Sequence, residues 1–299
     1  MTASNTTIGS LAAVAMLSIL PACSTYTSGL KSTTTDAAAV AADVTYDSAR
    51  AIWEAERGTA EGLQKAIDAL NAVTAAATKD SGCAQDAHIL LARSYYFMAD
   101  AHTVDADAKN VLFERGVTEG EKAMACDAAF KAQVDKGTKP AEAVSALQKD
   151  DQMAIYWTAS NLGKWARGQG FSTIVKYKGY IGKMMAHCLE LDETAYYAGP
   201  VRYWGAFYSI APSFAGGDMT KSQEMYEKAI KMSPENFATY VLYADTYATK
   251  TQDKALFTKL LTTVVEGDAA ALPDMIPEQL AEQAKAKAFL AQADDLFAE

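Results

Sequence analysis

The chain has 299 residues, with 27 Lys+Arg against 37 Asp+Glu and a formal charge of −10. Half of its residues are apolar and 21% are charged, which fits a globular chain of one or two domains with a sizeable core. An isoelectric point near 4.9 without any Lys/Arg cluster argues against a protein that tracks nucleic-acid phosphates, and seven prolines with 18 glycines argue against a turn-rich all-β sandwich.

Met1 to Ala22 carries no charged side chain, and Leu11 to Leu20 is almost wholly apolar. That run is too short to span a bilayer, which needs about 20 residues, and it reads as the apolar region of a secretory signal. It ends in Leu20-Pro21-Ala22-Cys23, which resembles the lipobox of bacterial lipoproteins. The resemblance implies cleavage after Ala22 and diacylglycerol on the Cys23 thiol. Ser24 after that cysteine implies release to the outer membrane, facing the periplasm. The expected organisation is a signal peptide over 1–22, a lipidated cysteine and flexible tether over 23–36, and an α-helical domain over 37–299. Without Cys23, three cysteines remain. Cys83 opens one predicted helix and Cys126 closes the next, so an antiparallel hairpin puts both at one end. An oxidising compartment permits a bridge there, against the alternative of two buried thiols. Cys188 is left to pack as a small hydrophobe.

From Asp36 onward the apolar residues recur at i, i+3, i+4 and i+7. The pattern predicts helices near 37–57, 59–77, 84–102, 107–127, 140–167 (whole or broken), 171–190, 195–211, 218–232, 234–250, 252–266 and 277–297. Ser81-Gly82, Lys136-Gly137, Gly168-Gln169-Gly170, Gly216-Gly217 and Ser233-Pro234 supply stops. Pro140, Pro234 and Pro277 are assigned to first turns, where a missing N–H costs nothing. The expected fold is all-α, with tetratricopeptide-like antiparallel helix pairs forming one compact domain. Tyr226, Ala229 and Pro234 have that repeat's Phe-x-x-Ala-x-x-x-x-Pro spacing, and Leu91-Ala92-x-x-Tyr95 and Tyr243-Ala244-x-x-Tyr247 repeat its first-helix pattern.

The C-terminal half carries a more specific pattern. Tyr203-Trp204-Gly205-Ala206-Phe207-Tyr208, Pro212-Ser213-Phe214-Ala215-Gly216-Gly217-Asp218, Tyr226-Glu227-Lys228-Ala229, Phe257-x-x-Leu260 and Asp295-Leu296-Phe297 resemble the TRAP (tripartite ATP-independent periplasmic) transporter T-component family. The resemblance is dense over 150–299 and looser over 40–150. It implies an envelope lipoprotein, helical and able to form homo-oligomers, that docks the transporter's solute-binding protein and offers a cavity for apolar or carboxylate ligands. A tetratricopeptide-like scaffold for protein–protein interactions in envelope assembly is the alternative.

Three groups of residues are candidate sites. Trp157, Asn161 and Trp165 recur every four residues, with Tyr156 and Lys164 beside them. Indole walls with an amide and an ammonium suit an amphipathic acid; the competing reading is a core stripe. Arg202, followed by Tyr203 and Trp204, offers a planar fork for a ligand carboxylate, or a partner for Asp192 or Glu193. Gly216-Gly217-Asp218 reads as a structural cap, with Asp218 as N-cap and the glycines free to take positive φ. His88, His102 and His187 lack metal-ligand spacing, and the acidic pairs Asp150-Asp151 and Asp294-Asp295 are expected on solvated faces. No metal or cofactor is expected. Nucleophile-elbow, P-loop and zincin motifs do not occur, so the chain is read as a binding protein rather than an enzyme.

Overall fold

Side-chain caps in the sequence set six of the helix starts. Thr45, Asp105, Asp127, Asp218, Asn236 and Asp253 each accept a hydrogen bond from a backbone N–H in the first turn of the helix that follows. The computed structural model describes residues 25–30, 44–79 and 82–297, and among them every regular element is helical. In chain order these are α1 (Tyr46–Glu56), α2 (Ala60–Lys79), α3 (Gln85–Phe97), α4 (Ala106–Met124), α5 (Ala128–Asp135), α6 (Pro140–Ala143), α7 (Gln152–Gly168) and α8 (Phe171–Leu191). They continue as α9 (Ala195–Ile210), α10 (Met219–Met232), α11 (Phe237–Tyr243), α12 (Thr249–Thr251), α13 (Lys254–Glu266), α14 (Ile276–Ala291) and α15 (Ala293–Leu296). π-Helical turns extend α3 over Met98–His102 and α11 over Ala244–Ala248.

Period governs burial. Leu63, Ala66, Ile67 and Leu70 of α2 stand at i, i+3, i+4 and i+7, and all are buried against α1 and α3. A second core joins α4, α7 and α8 around Phe113, Met124, Ile155, Leu162 and Met184. A third joins α10 to α14, where Phe257 meets Phe297 edge to face with ring centroids 5.0 Å apart. Close crossings need small residues: a Cβ on Gly116 would lie 2.2 Å from the Asn161 side chain, and one on Gly205 would lie 2.9 Å from the Tyr226 ring. Cys83 and Cys126 are joined, with Cα atoms 5.7 Å apart, linking the start of α3 to the end of α4. Cys188 is free and buried.

Several expectations need correction. The first helix starts at Tyr46, after the Thr45 cap; residues 37–43, the signal segment and Cys23 lie outside the described residues. The stretch 128–135, read as a connection, is a helix capped by Asp127. The break left open inside 140–167 is present: Gln148 is extended, and 3-10 turns flank it before α7 begins. Pro234 lies before the helix, whose cap is Asn236. Asp151 is buried, holding the Gln148 N–H at 2.8 Å and the Gln85 amide at 2.7 Å, whereas Asp294 is exposed and paired with Lys254.

The largest correction concerns the tether. Residues 25–30 pack on the body instead of hanging free from it. Tyr26 sits between the Trp165 and Tyr177 rings, at 5.7 and 5.3 Å. Its hydroxyl, the Ser28 hydroxyl and the Gly29 N–H all donate to the buried Glu121 carboxylate. Thr27 bonds Glu114 through its N–H and Thr118 through its carbonyl. Burial pushes the Glu121 carboxyl above its ordinary value, although these donors and Tyr180 pull it down.

Candidate functional site

A cavity of about 590 Å³ opens between α7, α8, α9, α11 and α14, with the π turn after α3 closing one side. Its aromatic wall is built by neighbouring helices. Trp157 lies 5.2 Å from Tyr156, 5.5 Å from Tyr96 and 4.8 Å from Tyr196, centroid to centroid. Tyr196 reaches this position through an unusual backbone. Tyr196, Tyr197 and Ala198 have φ of 47°, 56° and 59°, three successive left-handed residues without a glycine. Each costs about 1–2 kcal/mol, and strain of this kind gathers at functional sites. The expected helix 195–211 therefore turns right-handed only around Gly199-Pro200. Proline disfavours a helical residue before it, so Gly199-Pro200 was the sequence signal for this break.

Charge is distributed unevenly in the cavity. Asp100, on the π turn, pairs with Lys164 at 3.0 Å and with Lys285, and Lys285 also holds Glu282. Burial would push the Asp100 carboxyl up, but the two ammonium groups outweigh it and hold it well below the usual carboxylate range. Burial also pushes the Tyr96 hydroxyl up to about 12. Arg93 and Arg57 share Glu278, at 2.8 and 3.1 Å. Each of these charges is compensated.

Arg202 is not. It is buried on the cavity wall, and its guanidinium donates to the Tyr197 carbonyl at 3.1 Å, the Thr239 hydroxyl at 3.3 Å and the Tyr156 hydroxyl at 3.1 Å. Among the described residues no carboxylate lies within ion-pair distance. The pairing with Asp192 or Glu193 does not form: Asp192 holds Lys149 and Glu193 holds Lys228. Burial disfavours the cation, yet the hydroxyls of Tyr156 and Tyr196 keep it charged, its proton held more tightly than usual.

Of the sequence candidates, Tyr156, Trp157, Lys164, Arg202 and Tyr203 line the cavity, whereas Asn161, Trp165 and Trp204 do not. The Asn161 amide donates to the Ala92 and Trp157 carbonyls and serves the crossing with α4. Trp165 packs on Tyr26 and Tyr177, and Trp204 on Phe207 and Tyr208. Gly216 has φ 98°, and the Asp218 carboxylate accepts from the Lys221 N–H as the cap of α10. Sequence reading missed Arg93, Tyr96, Asp100, Tyr196, Glu278 and Lys285. They come from three distant segments, and only the Arg93-x-x-Tyr96 spacing hinted at a shared face.

A family model described as TRAP transporter T-component matches residues 85–297. The chain belongs to that family. No curated protein matches the chain. The matched range of this T-component begins at α3 and takes in the entire cavity wall. The chain is therefore an accessory component of a TRAP transporter. Among the described residues, no helix of the T-component is long and apolar enough to cross a membrane, and no group of three or more His, Cys, Asp or Glu could hold a metal.

Proposed function

We propose that this T-component binds an apolar carboxylate in its cavity and presents it to the transporter's solute-binding protein, without catalysis. The observation that supports this reading is Arg202: a buried guanidinium with no carboxylate partner among the described residues, on the wall of a cavity that also carries an aromatic face. A buried cation is costly unless it is paired, and a ligand carboxylate supplies the missing partner in the bidentate geometry that arginine favours. The rings of Trp157, Tyr196 and Tyr203 then cover the apolar tail. Lipid on Cys23 keeps the protein at the outer membrane on the periplasmic side, raising its effective concentration near its partner.

The test is calorimetric titration with decanoate and with decanol. Arg202→Gln is expected to weaken decanoate binding by roughly tenfold to a hundredfold, the worth of a charge-assisted hydrogen bond, and to leave decanol binding unchanged. Trp157→Ala is expected to weaken both. A folded Arg202→Gln protein that binds decanoate as before removes the reading.

A further inference from the structure

The strap at residues 25–30 fixes more than the chain's path. It runs along α4, and its direction can be read from its contacts. The Gly29 N–H meets Glu121, whereas the Thr27 N–H meets Glu114 and the Thr27 carbonyl meets Thr118. Going backward along the chain, the strap therefore descends toward the start of α4. Each extended residue covers about 3.3 Å, equal to roughly two residues of helix rise. The same end of the layer holds the α7–α8 turn, because Asn110 of α4 abuts Gly168. Cys23 precedes Thr25 by two residues, at most about 7 Å of chain.

This end is also where the cavity opens. Phe171, Val175 and Ile210 line the mouth and are exposed, as is Phe214 beside the lining residues Pro212 and Ala215. With Val111 on the start of α4, they make five of the eight large apolar side chains that are exposed among the described residues. Lys109, Arg167 and Lys178 stand among them. Lys109 and Lys178 have no carboxylate partner among the described residues, and Arg167 has Asp245 at 3.8 Å. An exposed apolar rim studded with cations is anomalous on a chain of charge −10. It matches the interface of an anionic bilayer, where rings sink among the acyl chains and ammonium groups meet phosphates.

We propose that the rim of the cavity mouth seats on an anionic phospholipid surface, so that the cavity opens to the membrane rather than to the aqueous periplasm. The proposal rests on the lipid-anchor part of the reading above and goes beyond it. Cargo then passes between the bilayer and the cavity along the apolar path of Phe171, Val175 and Ile210.

The test uses the protein purified from the cell envelope and reconstituted in vesicles of phosphatidylethanolamine and phosphatidylglycerol. Phe171→Cys, Phe214→Cys and Leu280→Cys variants are each labelled with nitrobenzoxadiazole. Cys188 is buried and Cys83 is joined to Cys126, and a control without the new cysteine gives the signal of any label taken at Cys23, so the signal of each new thiol is obtained by difference. Doxyl-lipid quenching is expected at positions 171 and 214 and not at 280, which is exposed to nearly the same extent as 171, and a Lys109→Glu/Lys178→Glu background is expected to reduce it severalfold. Unquenched labels at 171 and 214, or quenching equal to that at 280, overturn the proposal whatever the state of Cys23. Intact mass reports acylation of Cys23 separately. Decanoate binding on the same samples shows whether the ligand reading stands when the seating fails.

Discussion

The two sides of α7 divide the molecule's labour. One side carries Thr158, Asn161, Leu162 and Trp165, and it is spent on packing against α4 and on receiving the Tyr26 strap. The other carries Tyr156, Ser160, Gly163 and Arg167, and it lines the cavity; Trp157 and Lys164 sit on the boundary. The packing side is held by shape and neutral hydrogen bonds. The cavity side carries the compensated charge of Lys164, and the wall facing it carries the buried guanidinium of Arg202, unpaired among the described residues. That leftover cation belongs to α9 and meets α7 through the Tyr156 hydroxyl.

The sharpest way to break that division is Trp165→Ala. Removing a fully buried indole should cost about 3–5 kcal/mol in urea unfolding and loosen the strap, seen as faster amide exchange at Gly29. Decanoate affinity of the protein that remains folded should be unchanged; a selective loss of affinity would mean that the two sides are not separate.

Next comes Asp100→Asn, which leaves Lys164 and Lys285 without their shared carboxylate. Breaking such a pair should cost about 3 kcal/mol at neutral pH. The folded-state carboxyl is held below its unfolded value, so its contribution is present above the ordinary aspartate range, near 3.9, and is lost as the pH falls through the lower folded-state value. Unfolding curves for the two proteins should therefore converge in acid. Curves that stay parallel from neutral pH into acid would assign the cost to packing.

The smallest effect is expected at Ala198, left-handed and buried. Ala198→Gly removes a steric cost of about 1–2 kcal/mol and adds an entropic one of roughly 0.5–1 kcal/mol, for a net gain of about 1 kcal/mol. Thermal melting with and without decanoate checks this. A loss of stability would show that the strain is not where the backbone places it.

These contrasts also explain what could be read in advance. Caps such as Asp218 and stops such as Gly168-Gln169-Gly170 are local chemistry, so the helices were legible along the chain. The cavity was less so, for a geometrical reason. A step of four residues advances about 400° around a helix, or about 40° past a full turn. Trp157, Asn161 and Trp165 therefore drift away from one another and onto α4, while Ser160, Lys164 and Arg167 stay with the cavity. Tyr96 and Tyr196 are 100 residues apart in the sequence yet face the same indole, and no local pattern announces such a meeting. Arg202 was singled out, but its lack of a carboxylate partner emerges only once Asp192 and Glu193 are seen to be taken by lysines.

The hairpin of α1 and α2 bears on how the protein can be divided. It lies outside the range matched by the family, yet Trp53 carries the Arg57 and Arg93 guanidinium groups on its ring at 4.0 and 4.5 Å, and Arg57 reaches across to Glu278 and the Asp274 carbonyl. A chain trimmed to the matched boundary would bare Leu90 and Leu91, strip one of two cations from Glu278, and lose the strap that satisfies Glu121. The autonomous folding unit is thus larger than the inherited signature, and a soluble fragment for crystallisation or binding work should begin no later than Thr25.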